Sequence, residues 1–159
     1  MRVYLAGPLF TPYQRSFLDQ LAARLRDLDI EVFVPHEHLL DGPLTPTEVF
    51  HTDAQGVRAA DVVLAVLAVL DGAEVDDGTA CEIGMSAELL HTGTRRGAII
   101  GLMTDIRTLR STDNPPHMNL FVRGCIETHG SIHTDTDHAV AAVHTLAAQL
   151  DSPSTPRGG

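Results

Sequence analysis

The chain contains no lysine and no tryptophan; its eleven basic residues are all arginine, set against 21 aspartates and glutamates. Without lysine there is no phosphate-loop lysine and no Schiff-base chemistry. A net charge of −10 and an aromatic content of 4% supply neither a basic face to grip a phosphate backbone nor platforms for stacked bases, so nucleic acid is not an expected partner. Cys81 and Cys125 are the only cysteines; they cannot build a disulfide framework, and reduced thiols are expected. No apolar run reaches the roughly 18 residues that a membrane span requires. Residues 1–9 read as a strand rather than a leader. A cytoplasmic protein without membrane association is the expectation. There is no Gly-x-Ser-x-Gly elbow either, since Ser86 stands in Gly84-Met85-Ser86-Ala87-Glu88. Carboxylate, histidine, cysteine or metal chemistry remains.

What is present suits one domain. A chain of 159 residues, 43% of them hydrophobic, buries about 68–70% of its unfolded surface. Arg2 to Ala6 reads as a strand stopped by Gly7-Pro8, and Phe17, Leu21, Leu25 and Leu28 share one face of a helix over Tyr13 to Asp29. Ile30 to Val34 is a second strand, closed by Pro35. Thr45-Pro46-Thr47-Glu48 starts a helix to about Ala60, with proline at its first position and a capping box. Asp61 to Leu70 reads as a central strand, apolar on both faces. A helix from Thr79 to about His91 follows, then a strand at Ala98 to Met103 and a loop at 104–117. The last strand is Phe121 to Ile126 or Gly130 to His133, and an amphipathic helix covers Asp137 to Leu150. This alternation predicts an α/β fold: a three-layer parallel sheet with helices on both faces, flavodoxin-like or Rossmann-like, over residues 1–150. Residues 151–159 read as a disordered Ser/Pro/Gly tail.

Asp76-Asp77-Gly78-Thr79-Ala80-Cys81-Glu82-Ile83-Gly84 follows the central strand. It delivers a carboxylate-rich loop, then a helix bearing a glutamate, to the edge where open α/β sheets bind ligands. Thr79-x-x-Glu82 is also a capping box, which would commit both side chains to the helix start. Asp53 stands mid-helix, where aspartate is a poor choice; a solvated helix face accounts for it equally well. Gly7-Pro8 lets a ligand approach the backbone but lacks the dinucleotide glycines. Asn119, after a double proline, could simply cap a short helix.

Together these segments resemble the nucleoside 2-deoxyribosyltransferase family, from about residue 3 to 150. Tyr4-Leu5-Ala6-Gly7-Pro8-Leu9-Phe10 looks like its N-terminal signature and Asp76 to Gly84 like its nucleophile motif. Asp53 stands eight residues before Asp61, as in the family, and Asn119-Leu120 is similar to an element that a neighbouring subunit inserts into each site. The resemblance implies exchange of nucleobases on 2-deoxyribose through a covalent glycosyl-enzyme on Glu82, a retaining double displacement. A nucleophile must stay ionised, which a helix N-terminus favours. Asp76 and Asp53 would bind the base edge, one of them as general acid. Tyr4 would orient Glu82, Gly7 and Phe10 would line the base pocket, and Asn119 would hold the sugar from the next protomer. Asp77 takes the place of Asp76 if it is the residue that points inward. The implied partners are nucleosides and nucleobases in a homo-oligomer serving nucleoside salvage, with no cofactor. The alternative is an N-glycosidase that passes the sugar of nucleosides or 5′-monophosphates to water. A non-catalytic nucleotide-binding module fits poorly with three carboxylates.

Nine histidines invite a metal, but neither His36-Glu37-His38 nor His129/His133 has a zinc spacing. Cys81 reads as a small buried residue. Arg107, Arg110 and Arg123 are expected on the surface rather than around a phosphate.

Overall fold

A computed structural model describes residues 1–38, 44–67, 75–105 and 118–150. Along the chain run β1 (Arg2–Ala6), α1 (Pro12–Arg26), β2 (Glu31–Phe33), a 3-10 turn (Pro35–His38), α2 (Pro46–Ala59), β3 (Val62–Val66), α3 (Asp77–His91), β4 (Ala98–Leu102), α4 (Leu120–His129), β5 (Gly130–His133) and α5 (Thr136–Leu150). The strands form one sheet in the order β2-β1-β3-β4-β5, with every pairing parallel. That is a flavodoxin-like three-layer sheet. Its strand order reverses between β1 and β3, and the crevice beyond their C-terminal ends is where such sheets take ligands.

Successive strand residues point to opposite faces. Val3 and Leu5 of β1, with Val62, Leu64 and Val66 of β3, join α1 and α5 in one core. Tyr4 and Ala6, with Val63 and Ala65, join α2, α3 and α4 in the other. Because both faces are covered, β3 and β4 are buried throughout and read as unbroken apolar runs. Thr11 and Thr45 open α1 and α2 through complete capping boxes, closed by Gln14 and Glu48.

The last strand is Gly130–His133; Phe121 to Ile126 belongs to α4. Leu120 and Phe121 are each 81% exposed while Met118 and Ile126 are buried. The segment is thus a helix whose inner side is Val122, Cys125 and Ile126, with Leu120 and Phe121 turned outward. Gly130 fits its place, since a Cβ there would fall 1.8 Å from the carbonyl oxygen of Ile99. Helix α3 starts at Asp77, two residues before the expected Thr79. The end of the expected central strand (68–70), the acids at 71 and 74, Arg107, Arg110, the Asn114-Pro115-Pro116 loop and the tail 151–159 lie outside the described residues. No helix among the described residues is long and apolar enough to cross a membrane.

Candidate active site

Tyr4 anchors the site. Its side chain leaves the middle of β1 on the α2/α3 side, fully buried, and its hydroxyl donates a 2.5 Å hydrogen bond to Oε1 of Glu82. The ring stacks on Phe33, with centroids 5.3 Å apart, and Phe33 in turn stacks on His38 at 4.1 Å. Strand β1, strand β2 and the 3-10 turn thus carry a continuous pile of rings whose inner end holds Glu82.

Glu82 is not part of a helix cap. The cap of α3 is Asp76, whose Oδ2 accepts from the Thr79 N–H at 3.0 Å and the Thr79 hydroxyl at 3.3 Å. Thr79 is itself buried. The helix therefore begins earlier than the capping-box reading requires, and Glu82 lies in its second turn with its carboxyl turned to Tyr4. The expectation that the helix N-terminus keeps Glu82 ionised is corrected with it. Burial pushes the Glu82 carboxyl up to about 8, with the Tyr4 hydrogen bond pulling down and the charges of Asp53 and Asp76 pushing up. At the second turn the macrodipole is weak, and loss of hydration outweighs it. Burial and the adjoining Glu82 charge raise the Tyr4 hydroxyl far above the ordinary tyrosine value.

Asp53 is half-buried on α2, not on a solvated face. Burial raises its carboxyl, while the charge of His38 lowers it. Asp53 acts electrostatically on both Glu82 and Tyr4, so the three form one cluster, with Asp76 at its edge. Asp77 is exposed on the first turn of α3, and the aspartates that act on Glu82 are Asp53 and Asp76. Of the two neighbours, Asp76 is the one brought into the cluster. Asp61 stands at the other end of the sheet, accepting from the Arg2 N–H at 2.8 Å.

The remaining expected residues have surroundings of their own. A side chain on Gly7 would meet Leu18 and Val66, each at 3.1 Å, so packing explains this glycine. Phe10 is 62% exposed. Asn119 caps α4, its Oδ1 accepting from the Phe121 N–H at 2.9 Å and the Val122 N–H at 3.4 Å. An open groove of about 440 Å³ between α3 and α4 is lined by Gly84, Ala87, Leu120, Phe121 and Gly124, among others. Cys81 is exposed rather than buried. The buried residues of α3 are Thr79, Ile83, Ser86 and Ala87, and Cys81 falls on the opposite side.

Sequence reading missed Phe33, His38, Gly56 and Arg95. In the sequence His38 stands out only beside His36, as a pair of metal-ligating type. Among the described residues no three His, Cys, Asp or Glu side chains gather as a metal site: His36 bonds Asp19, His133 bonds Ser131, and His129 meets His91 edge-on. Arg123 pairs with Glu127. Arg95 donates to the carbonyls of Val57 at 2.8 Å and Ala60 at 2.7 Å, and to the hydroxyl of Ser86. It thereby binds the end of α2, which bears Asp53, to the middle of α3, which bears Glu82.

Comparison with known proteins adds a second line. The sequence profile described as Nucleoside 2-deoxyribosyltransferase matches residues 3–140. No curated protein matches the chain. Among solved structures, a conserved protein from Enterococcus faecalis is similar at 24% identity and a TM-score of 0.77, covering 91% of this chain and 98% of the other. A 2-deoxyribosyltransferase from Bacillus psychrosaccharolyticus is similar at 23% identity and a TM-score of 0.65, covering 88% and 90%. A CMP N-glycosidase from Clostridium botulinum is similar at 18% identity and a TM-score of 0.58, covering 91% and 98%. At these identities the structures establish a shared fold.

Proposed function

Because the chain belongs to the nucleoside 2-deoxyribosyltransferase family, whose activities are glycosyl transfer and N-glycoside cleavage, we propose that it moves 2-deoxyribose between nucleobases by double displacement. The observation that carries the reading is the Tyr4–Glu82 hydrogen bond with Asp53 and Asp76 beside it. A carboxylate Oε of Glu82 attacks C1′ of a deoxynucleoside. The glycosidic C–N pair leaves on the base, which takes a proton at a ring nitrogen, and a glycosyl ester forms. A ring nitrogen of the incoming base then attacks C1′, gives up its proton, and releases the carboxylate with overall retention.

Asp53 fits the acid better than Asp76. One oxygen of Asp76 is engaged at the helix cap, whereas burial helps Asp53 keep a proton, as a general acid requires. Tyr4 aims the nucleophile. Asn119 reaches the sugar of a neighbouring protomer's site in a homo-oligomer; its exposure, and that of Leu120 and Phe121 beside the α3–α4 groove, supports this placement. The substrates are free nucleosides and bases of a salvage reaction in the cytoplasm.

Deoxyinosine incubated with adenine, followed by chromatography, tests the reading. Deoxyadenosine and hypoxanthine are expected. Free deoxyribose without exchange would make the protein a hydrolase instead. Glu82→Ala and Asn119→Ala, each inactive alone, should regain about a quarter of wild-type activity when co-refolded as randomly mixed dimers with reciprocal sites.

A further inference from the structure

Helix α2 carries a glycine in its interior, between Gln55 and Val57, where glycine is the poorest helix former after proline. The other helical glycines do not explain it. A Cβ on Gly84 or Gly124 would meet nothing within 4 Å, whereas one on Gly56 would lie 2.8 Å from Cε2 and 2.9 Å from Cδ2 of Tyr4, and 2.9 Å from Cε1 of Phe33. Neither neighbour is the end of a flexible chain, and Tyr4 has the least room to move. They are rigid rings stacked on one another, the Tyr4 ring is fully buried, and its hydroxyl is tied to Glu82. Gly101 is different, because the atom nearest its Cβ position is the methyl end of Leu67, which can turn aside.

Asp53 and Gly56 are three residues apart, so they lie on neighbouring positions of one helix face. The contact that brings α2 onto the rings also sets how closely Asp53 approaches them. We propose that Gly56 is a positioning residue, whose missing side chain lets α2 seat against Tyr4 and Phe33 and so fixes the Tyr4 hydroxyl on Glu82 and Asp53 beside the pair. A methyl group at 56 must move either the helix, taking Asp53 with it, or the Tyr4 ring, taking the hydroxyl off Glu82. The inference about catalysis rests on Glu82 as nucleophile; the inference about geometry does not.

The test compares Gly56→Ala, Tyr4→Phe and wild type by two readouts. The first is the titration of Glu82, followed by NMR of carboxyl-labelled glutamate and assigned with Glu82→Gln. The second is kcat and KM for base exchange. Gly56→Ala should move the Glu82 midpoint from its wild-type position near 8. It should lower kcat on the order of 10–100-fold, as sub-ångström to ångström misplacement does, and leave KM nearly unchanged. A folded Gly56→Ala with wild-type titration and wild-type kcat overturns the proposal. A moved titration with Glu82→Gln still active leaves Gly56 as the positioner of the pair and removes Glu82 as nucleophile. If Gly56→Ala does not fold, the same change is made in a Tyr4→Leu, Phe33→Leu background. There alanine should raise the thermal midpoint; if it lowers it, ring contact is not why position 56 is glycine, and the proposal fails.

Discussion

The two faces of the sheet are built from the same strands and do different work. On the α1/α5 face, Val3, Leu5, Leu64 and Val66 meet Leu18, Leu21, Leu25 and Val143 in an all-apolar core. On the α2/α3/α4 face the same strands present Tyr4 in place of an aliphatic residue, and the packed helices bring Glu82, Asp53 and the buried hydroxyls of Thr79 and Ser86. One face is stabilised by dispersion and exclusion of water. The other gives up some of that to hold the Glu82 carboxyl where burial pushes it up to about 8. Period-two alternation in β1 is enough to separate the two tasks by a single residue.

The separation can be broken from either side. The largest effect is expected from Glu82→Gln, which keeps the shape but removes the proposed nucleophile: exchange should fall on the order of 10⁴-fold or more, measured as base exchange under single-turnover conditions. The same variant should be more stable than wild type in alkali. The folded value of Glu82, about 8, lies above its ordinary 4.5, so folding takes up a proton between those values. The stability this gives is fully present below the lower value and is lost as pH rises through the upper one. Thermal midpoints of wild type and Glu82→Gln should therefore diverge between pH 5 and 9. Parallel curves would show that Glu82 is not held neutral.

Leu64→Ala on the opposite face is the mirror experiment. It should cost about 2–5 kcal/mol in urea unfolding while leaving the pH dependence of exchange where it was. A displaced pH profile would mean that the two faces are not independent.

Wild-type kcat/KM should follow a bell, rising with pH as the raised Glu82 carboxyl ionises and falling as Asp53 loses the proton that a general acid needs. Tyr4→Phe removes a donor that favours the ionised form, so the rising limb should move to higher pH. Losing a hydrogen bond to a charged group, about 1.5–3 kcal/mol, should slow exchange about tenfold to a hundredfold at neutral pH. A limb that stays in place would detach Tyr4 from the ionisation of Glu82.

The smallest effects separate the adjacent aspartates. Asp76→Asn retains a good helix cap but deletes a charge that acts on Glu82, so its pH limb should move downward with little loss of stability. Asp77→Asn, exposed on the first turn, should move neither the limb nor the rate by more than about twofold, and stability by less than about 0.5 kcal/mol. If Asp77→Asn is the more damaging of the two, the assignment at this pair is reversed.

Much of the architecture was legible because the strands are buried on both sides and the helices carry local start signals: Thr11, Thr45 and their partners announce α1 and α2 without help from tertiary contacts. The segment Leu120 to Ile126 was ambiguous because a short apolar run has no period of its own to read. In the site, the carboxylates stood out by type and spacing. The start of α3 did not, since Asp76 and Thr79 are both good caps and only the folded chain chooses between them. Phe33, His38 and Gly56 were hidden for another reason. Their part depends on ring stacking between β1, β2 and the following turn, and on a helix seated over that stack, contacts that no local pattern records. Cys81 was misplaced by its type, because cysteine is usually buried, while the helix phase set by Ile83 and Ala87 turns it outward.

Arg95 bears on how this protein meets changes of pH and salt. Three carboxyl groups gathered in one place repel once they ionise, and a site held together by its own charges would swell as protons leave. Here the spacing between the helices is set from behind, by a guanidinium that bridges two carbonyls at the end of α2 and a hydroxyl in α3, none of which titrates. The planar fork of arginine spans all three acceptors at once, one terminal nitrogen on the two carbonyls and the other on the hydroxyl. The gap between Asp53 and Glu82 is then a dimension of the scaffold rather than a balance of forces, and the protons can come and go at a fixed distance.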